Sequence, residues 1–287
     1  MKTFFKVLIL MPLVLISSCR SDDAETDQVT DLASKTYTLN TVDNSGISGT
    51  VRFIKNSNFT LSIELRLLGT VNNNYHSGFL YMDNAANDGE DVAITLDVVD
   101  GDTGMSTTVF TSLDDDTPIS YEELLNFDGY IEVKSNDVNL NTPVANVDIG
   151  QNELTTNQVT YNLEERNLNN ASGIVTFKER LNGEALAIFS LTGTPASGEH
   201  PAFIRSGNMA AASGATIFTF NNIKGITVVN ETSGLNETRG VSQTNVAELD
   251  NGTAFMYSDV IAVDGYIDVE LSTTNTLLIA QGNIGSN

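Results

Sequence analysis

Phe127-Asp128-Gly129-Tyr130-Ile131-Glu132-Val133 and, 136 residues later, Val263-Asp264-Gly265-Tyr266-Ile267-Asp268-Val269 are the two stretches on which the fold turns. Each carries Asp-Gly, a turn signal, and then alternates Ile and Val with Tyr, Glu or Asp. Alternation puts successive side chains on opposite faces, the pattern of a half-buried strand. Finding the pattern twice points to a duplicated unit.

Working outward, further pairs hold a spacing of 124 residues. Tyr37-Thr38-Leu39-Asn40 matches Tyr161-Asn162-Leu163-Glu164. Ser48-Gly49 with Val51 and Phe53 matches Ser172-Gly173 with Val175 and Phe177, and Gly69-Thr70 matches Gly193-Thr194. The two histidines, His76 and His200, match as well. The change from 124 to 136 places a net insertion of 12 residues in the second copy, expected between Asn221 and Asn251. Both copies read as β. Phe59 to Leu67 alternates for nine residues, and Ala185 to Leu191, Val92 to Val99, Ile217 to Phe220 and Ile226 to Val229 are further strand-like runs. Asn, Asp, Gly and Ser clusters separate them every ~8–12 residues, as in a sandwich or barrel. Helix is expected only at Tyr121 to Asn126 and Tyr257 to Ala262. The expected fold is all-β: two tandem antiparallel β-sandwich domains with Greek-key-like connections. The divisions are 1–18 leader, 19–34 acidic disordered tether, 35–152 first copy, 153–158 linker and 159–287 second copy.

The leader has Lys2 and Lys6, then an apolar run from Val7 to Ile16, then Ile16-Ser17-Ser18-Cys19. The run is too short to span ~30 Å of hydrocarbon and fits a signal peptide. The residues before Cys19 resemble the bacterial lipobox, which implies cleavage and lipidation at Cys19. Each buried CH₂ of an acyl chain would contribute ~0.8 kcal/mol to membrane anchoring. Cys19 is the sole cysteine, so no intramolecular disulfide forms. Arg20-Ser21-Asp22-Asp23-Ala24-Glu25 resembles the acidic export signal of surface lipoproteins, which implies an outer-membrane, cell-surface location. Without Lys2 and Lys6 the chain has 12 basic residues against 37 acidic ones. That balance argues against a nucleic-acid partner, whose phosphates need Lys and Arg.

The Ser-Gly strand, the apolar strand ending in Gly-Thr, the histidine before an apolar run and the terminal Asp-Gly-Tyr-Ile-x-Val together resemble the CHRD (chordin-type) domain. That domain is in turn similar to the β-sandwich of copper/zinc superoxide dismutase. The resemblance implies where metal-binding histidines would stand. In the first copy those places hold Phe79, Tyr81 and Lys134, and in the second Phe203, Arg205 and Glu270. A copper or zinc site needs three or four N, S or O ligands, so no such metal is expected.

Other chemistry is sparse. Gly-x-Ser-x-Gly and His-Glu-x-x-His are absent, and His76 and His200 lie in no catalytic motif. Calcium is the remaining cofactor candidate, with Asp97, Asp100 and Asp102 around a glycine turn as ligands. Asp114-Asp115-Asp116 forms a second acidic loop, and solvated turns are the simpler reading of both. The expectation is a non-enzymatic, surface-tethered binding or structural lipoprotein. Its partners would be the membrane, through Cys19, and an extracellular protein or glycan. The alternatives are an accessory carbohydrate- or protein-binding lipoprotein of a nutrient-uptake system, and a hydrolase or metalloenzyme with an unrecognised site.

Overall fold

A computed structural model describes residues 28–87, 89, 91–136, 142–168, 170–211, 213–230 and 232–287. The leader, Cys19 and the tether up to residue 27 lie outside them. The described chain is almost entirely β and forms two domains, in agreement with the sequence. No helix among the described residues is long and apolar enough to cross a membrane.

The first domain contains β1 (Asp31–Thr41), β2 (Ser48–Asn56), β3 (Leu61–Leu68), β4 (Tyr75–Met82), β5 (Val92–Asp100) and β6 (Met105–Phe110). A single turn of helix, α1 (Tyr121–Leu125), precedes β7 (Asp128–Lys134) and β8 (Pro143–Gly150). The strands close in the order β1-β2-β3-β6-β5-β4-β7-β8, with the crossovers β3 to β4 and β6 to β7 giving the Greek key. Two joints are thin: β1 meets β8 at Asn40–Asn146 and Thr41–Ala145, and β5 meets β6 at Asp100–Met105. The closed barrel is therefore a flattened one, two four-stranded sheets packed face to face, which reconciles barrel with sandwich. At the β5–β6 joint the buried Thr108 hydroxyl accepts from the Asp97 amide at 2.6 Å, replacing a backbone partner. Alternation delivers Ile63 and Leu65 of β3, Leu80 of β4 and Ile131 and Val133 of β7 to the core between the sheets.

The second domain repeats this with β9 (Leu154–Glu165), β10 (Ser172–Arg180), β11 (Ala185–Thr192), β12 (Glu199–His200), β13 (Ala202–Ser206), β14 (Thr216–Thr219), β15 (Ile223–Val229), β16 (Asn236–Val246), α2 (Tyr257–Val260), β17 (Asp264–Ser272) and β18 (Asn275–Gly285). The strand that is continuous as β4 is here broken into β12 and β13 at Pro201, which has no N–H to donate. The counterpart of β5 is likewise divided into β14 and β15, so the strands run as a ten-stranded sheet. Thr244 laces the equivalent joint, its hydroxyl accepting from the Asn221 amide at 3.0 Å.

Three expectations need correction. Residues 154–158, expected as linker, are the first turn-free half of β9, Leu154 pairing with Arg180 and Gln158 with Lys178. Their Thr- and Asn-rich composition looked like a loop, yet an exposed edge-facing strand tolerates it. The first domain begins at Asp31 within the expected tether, because Asp31 pairs with Asn56. Phe59, although in phase with the apolar face of β3, lies in the β2–β3 turn at φ +65°, fully out in solvent.

The insertion is confined to the β15–β16 hairpin. His76 pairs with Val99, and His200 pairs with Ile223, so the 124-residue spacing persists to that point. A Cβ on Gly101 would lie 2.4 Å from the Val71 oxygen, and one on Gly225 2.0 Å from the Pro195 oxygen, so both turns start from the same backbone contact. Gly101-Asp102-Thr103-Gly104 then turns at once, whereas Gly225 and Gly240 face each other across an arm built from residues 226–239.

The domains are joined by a buried arginine. Arg180 is 1% exposed, and its Nη1 donates to Asp148 Oδ2 at 2.7 Å and to the Asn152 carbonyl at 2.6 Å in the first domain. Its Nε donates to Asn245 Oδ1 at 2.8 Å within its own domain. Backbone bonds from Leu181 to Glu153 and from Asn182 to Gln151 seat the β10–β11 hairpin on the end of the first domain.

Candidate functional site

The positions that the CHRD resemblance marks for metal ligands come together in both domains. On β7, Ile131 and Val133 face the core, so Tyr130, Glu132 and Lys134 share the opposite face. On β4, Phe79 and Tyr81 share that face, with Phe79 opposite Glu132 and Tyr81 opposite Tyr130. The Tyr81 and Tyr130 rings stack with centroids 5.1 Å apart, and Phe79 lies 5.5 Å from Tyr81. Lys134 reaches back to form an ion pair with buried Glu132, with its ammonium 5.4 Å above the Tyr81 ring. Burial pulls the Lys134 pKa down, but the Glu132 hydrogen bond and charge, with the Tyr81 hydroxyl, outweigh it and leave the ammonium above the ordinary lysine range.

In the second domain the cation comes from the other strand. Arg205 on β13 donates through Nε to Asp268 Oδ2 at 2.6 Å, lies 3.5 Å from Glu270 and donates to the Thr216 hydroxyl at 2.9 Å. Its guanidinium stands 5.4 Å above the Phe203 ring. Gln281 bonds the second Asp268 oxygen at 2.7 Å and accepts from Arg166 at 2.8 Å. Tyr81 and Lys134 in one domain thus correspond to Arg205 and Glu270 in the other: the carboxylate keeps its place on β7 and β17, as Glu132 and Asp268, while the cation comes from β7 itself in the first domain and from the neighbouring β13 in the second.

No family model, curated protein or solved structure matches this chain.

The side chains of these patches do not suit copper or zinc. Neither contains an imidazole or thiolate, and their carboxylates are already engaged by an ammonium or a guanidinium. The histidines lie elsewhere. His76 is buried and its Nδ1 is 3.0 Å from the Lys134 carbonyl, while His200 is buried with Nδ1 2.7 Å from the Leu271 carbonyl. Asn74 stands 3.4 Å from His76 Nε2, whereas Gly198 occupies its place in the second domain and leaves His200 Nε2 buried without a hydrogen-bond partner.

The calcium candidates are not assembled. Among the described residues no three of His, Cys, Asp and Glu are grouped to hold a metal ion. Asp100 accepts from the Asp102 amide, and Asp102 from the Asn73 amide, each at 2.7 Å, so these carboxylates fasten turns. Asp97 lies exposed along β5. Asp114 is a duplicated fastener: it accepts from the Thr95 amide at 2.8 Å, as Asp250 does from the Thr219 amide at 2.8 Å. A further concavity of about 640 Å³ lies between the arm and the first domain, lined by Asn44, Thr227, Asn230, Thr232 and Arg239 among others.

Sequence reasoning missed the junction. Asn152 donates to the Asp83 and Gly129 carbonyls, and Asn287 donates to the Gly207 and Gly265 carbonyls. The two asparagines are thus the same residue of the repeat, a correspondence visible as Ile149 to Asn152 against Ile284 to Asn287. Arg180 had no such signal, because Asn56 stands in its place in the first copy.

Proposed function

We propose that this chain is an exported lipoprotein, cleaved and acylated at Cys19, whose duplicated CHRD-like domains form a non-enzymatic binding or structural module at the outer-membrane surface. The observation that carries the reading is the pair of ion-paired patches, Lys134–Glu132 and Arg205–Asp268, standing where the CHRD-type pattern would carry metal histidines. The eight-stranded Greek key of the first domain, repeated in the second with two strands broken, supports the kinship, and Ile16-Ser17-Ser18-Cys19 supports export and anchoring. Arg205–Asp268 clamps β13 to β17, and Lys134, paired with Glu132 on its own strand, reaches β4 through the Tyr81 ring, leaving loops and the arm to meet a partner.

The test has two arms. Intact mass and metabolic acyl labelling should find lipid on the wild type and none on Cys19→Ala. Thermal melts after chelation, with zinc, copper or calcium added back, should show no shift. A bound ion at 100 times its dissociation constant would stabilise by ~2.7 kcal/mol. A shift with zinc or copper returns the metalloenzyme or hydrolase reading, and a missing acyl group removes the lipoprotein reading.

A second reading, an accessory carbohydrate-binding lipoprotein of an uptake system, is favoured by the concavity beside the arm. Its amides, hydroxyls and Arg239 guanidinium match the hydrogen-bonding needs of a sugar. A glycan array, with Arg239→Ala as the control, tests it.

A further inference from the structure

Phe59 is the most exposed large apolar residue of the described chain, at 96%, and its φ of +65° is one that Phe rarely adopts. The duplication supplies a control for both features. The equivalent position in the second domain is Gly183, at φ +86°, where the left-handed turn carries no side-chain penalty. A strained aromatic in solvent, where the sister domain has glycine, gains nothing within its own domain and is accounted for by an external contact.

The entry of the chain into the first domain says what that contact is. The Thr30 amide donates to Ser57 Oγ at 3.0 Å, and the Ser57 amide donates to the Thr30 carbonyl at 2.9 Å. The segment arriving from Cys19 is thus pinned two residues from Phe59. Thr30 follows Cys19 by 11 residues, a span of at most ~40 Å when extended. Val29 and Leu32 on this segment are exposed as well. On β2, leading into this turn, Lys55 pairs with Glu122, and Arg52 pairs with Asp31 at 2.7 Å and lies 3.6 Å from Glu64.

We infer that the β2–β3 turn, with Phe59 at its apex, is a membrane-contact element that seats the first domain on the bilayer holding Cys19. The inference rests on the anchoring reading, because the tether gives the tip its partner.

The chain contains no tryptophan, so Phe59→Trp places a single indole at the tip. The full chain carrying this change is isolated from cells and reconstituted into phosphatidylcholine vesicles. The expected result is a blue-shifted indole emission, strong quenching by brominated acyl chains and weak quenching by aqueous iodide. Vesicle flotation with an indole that remains open to iodide overturns the inference while leaving the anchor intact. If mass analysis finds Cys19 unacylated, the sole thiol is coupled to maleimide lipid, and the same spectra decide the point without the natural anchor. A blue shift that appears without vesicles and grows with protein concentration assigns the tip to self-association and also overturns it. Phe59→Gly in the uncoupled chain should weaken vesicle partitioning about tenfold or more, and unchanged partitioning counts against the proposal.

Discussion

Arg180→Ala should loosen the joint between the domains. Removing one member of a buried ion pair costs about 3–5 kcal/mol when its partner stays buried. Two features of the junction reduce that figure. Asp148 keeps the bond from the Ala85 amide at 2.8 Å and is partly open to water. Arg180 Nη2 is itself buried without a partner, so truncation also relieves an unsatisfied donor. The expectation is therefore a loss of about 2–3 kcal/mol, or roughly 10 °C for domains of this size. Urea unfolding followed by intrinsic tyrosine fluorescence and circular dichroism measures it. Wild type should unfold in one transition and the variant in two. Asp148→Ala and the double variant complete a cycle, with an expected coupling of about 1–3 kcal/mol. Asn56→Ala, at the equivalent place in the first domain, removes bonds to Thr60 and Ser62 of its own hairpin and should leave the coupling between domains unchanged. A loss for Arg180→Ala below about 1 kcal/mol, or a coupling indistinguishable from zero, refutes the argument.

Phe59→Gly should stabilise the first domain by about 0.5–1.5 kcal/mol, because relief of strain at φ +65° exceeds the added freedom of the unfolded chain; a lowered urea midpoint would contradict this. The raised pKa of Lys134 contributes stability that is fully present below the unfolded value of ~10.4 and lost as pH rises through the folded value. Alkaline melts of wild type should accordingly fall more steeply above pH ~10.4 than those of Lys134→Met, and parallel curves would rule the ion pair out as a source of stability. Replacing residues 226–239 by Asp-Thr, the turn of the first copy, should leave the second domain folded within about 1 kcal/mol; insoluble or unfolded protein would show that the arm belongs to the core.

The strands, the duplication and the size of the insertion were legible because periodicity and spacing survive in the residues that face the core. What the sequence could not convey depends on three-dimensional neighbours. Phe59 keeps the phase of the strand beyond the strand's end, and only the turn geometry turns it outward. Residues 154–158 are polar because they pair along an exposed strand, not because they form a loop. Arg180 differs from its counterpart Asn56, so the repeat itself conceals the junction. The positions themselves could be named from the resemblance, but that one ion pair lies along β7 and the other crosses from β13 to β17 required the pairings Phe79–Glu132 and Phe203–Asp268.

The thin joints of the two domains bear on how the protein avoids aggregation. Unpaired backbone amides at a strand edge are templates for adding a strand from another molecule. At the β5–β6 joint and its counterpart the vulnerable amides, those of Asp97 and Asn221, are already bound to the hydroxyls of Thr108 and Thr244. Where the second domain parts, Pro201 presents no amide, and its carbonyl is taken by the Glu270 amide at 2.8 Å. An incoming strand meets satisfied donors at these points, and a single methyl-for-hydroxyl exchange, Thr108→Val or Thr244→Val, would reopen such a template without altering the core.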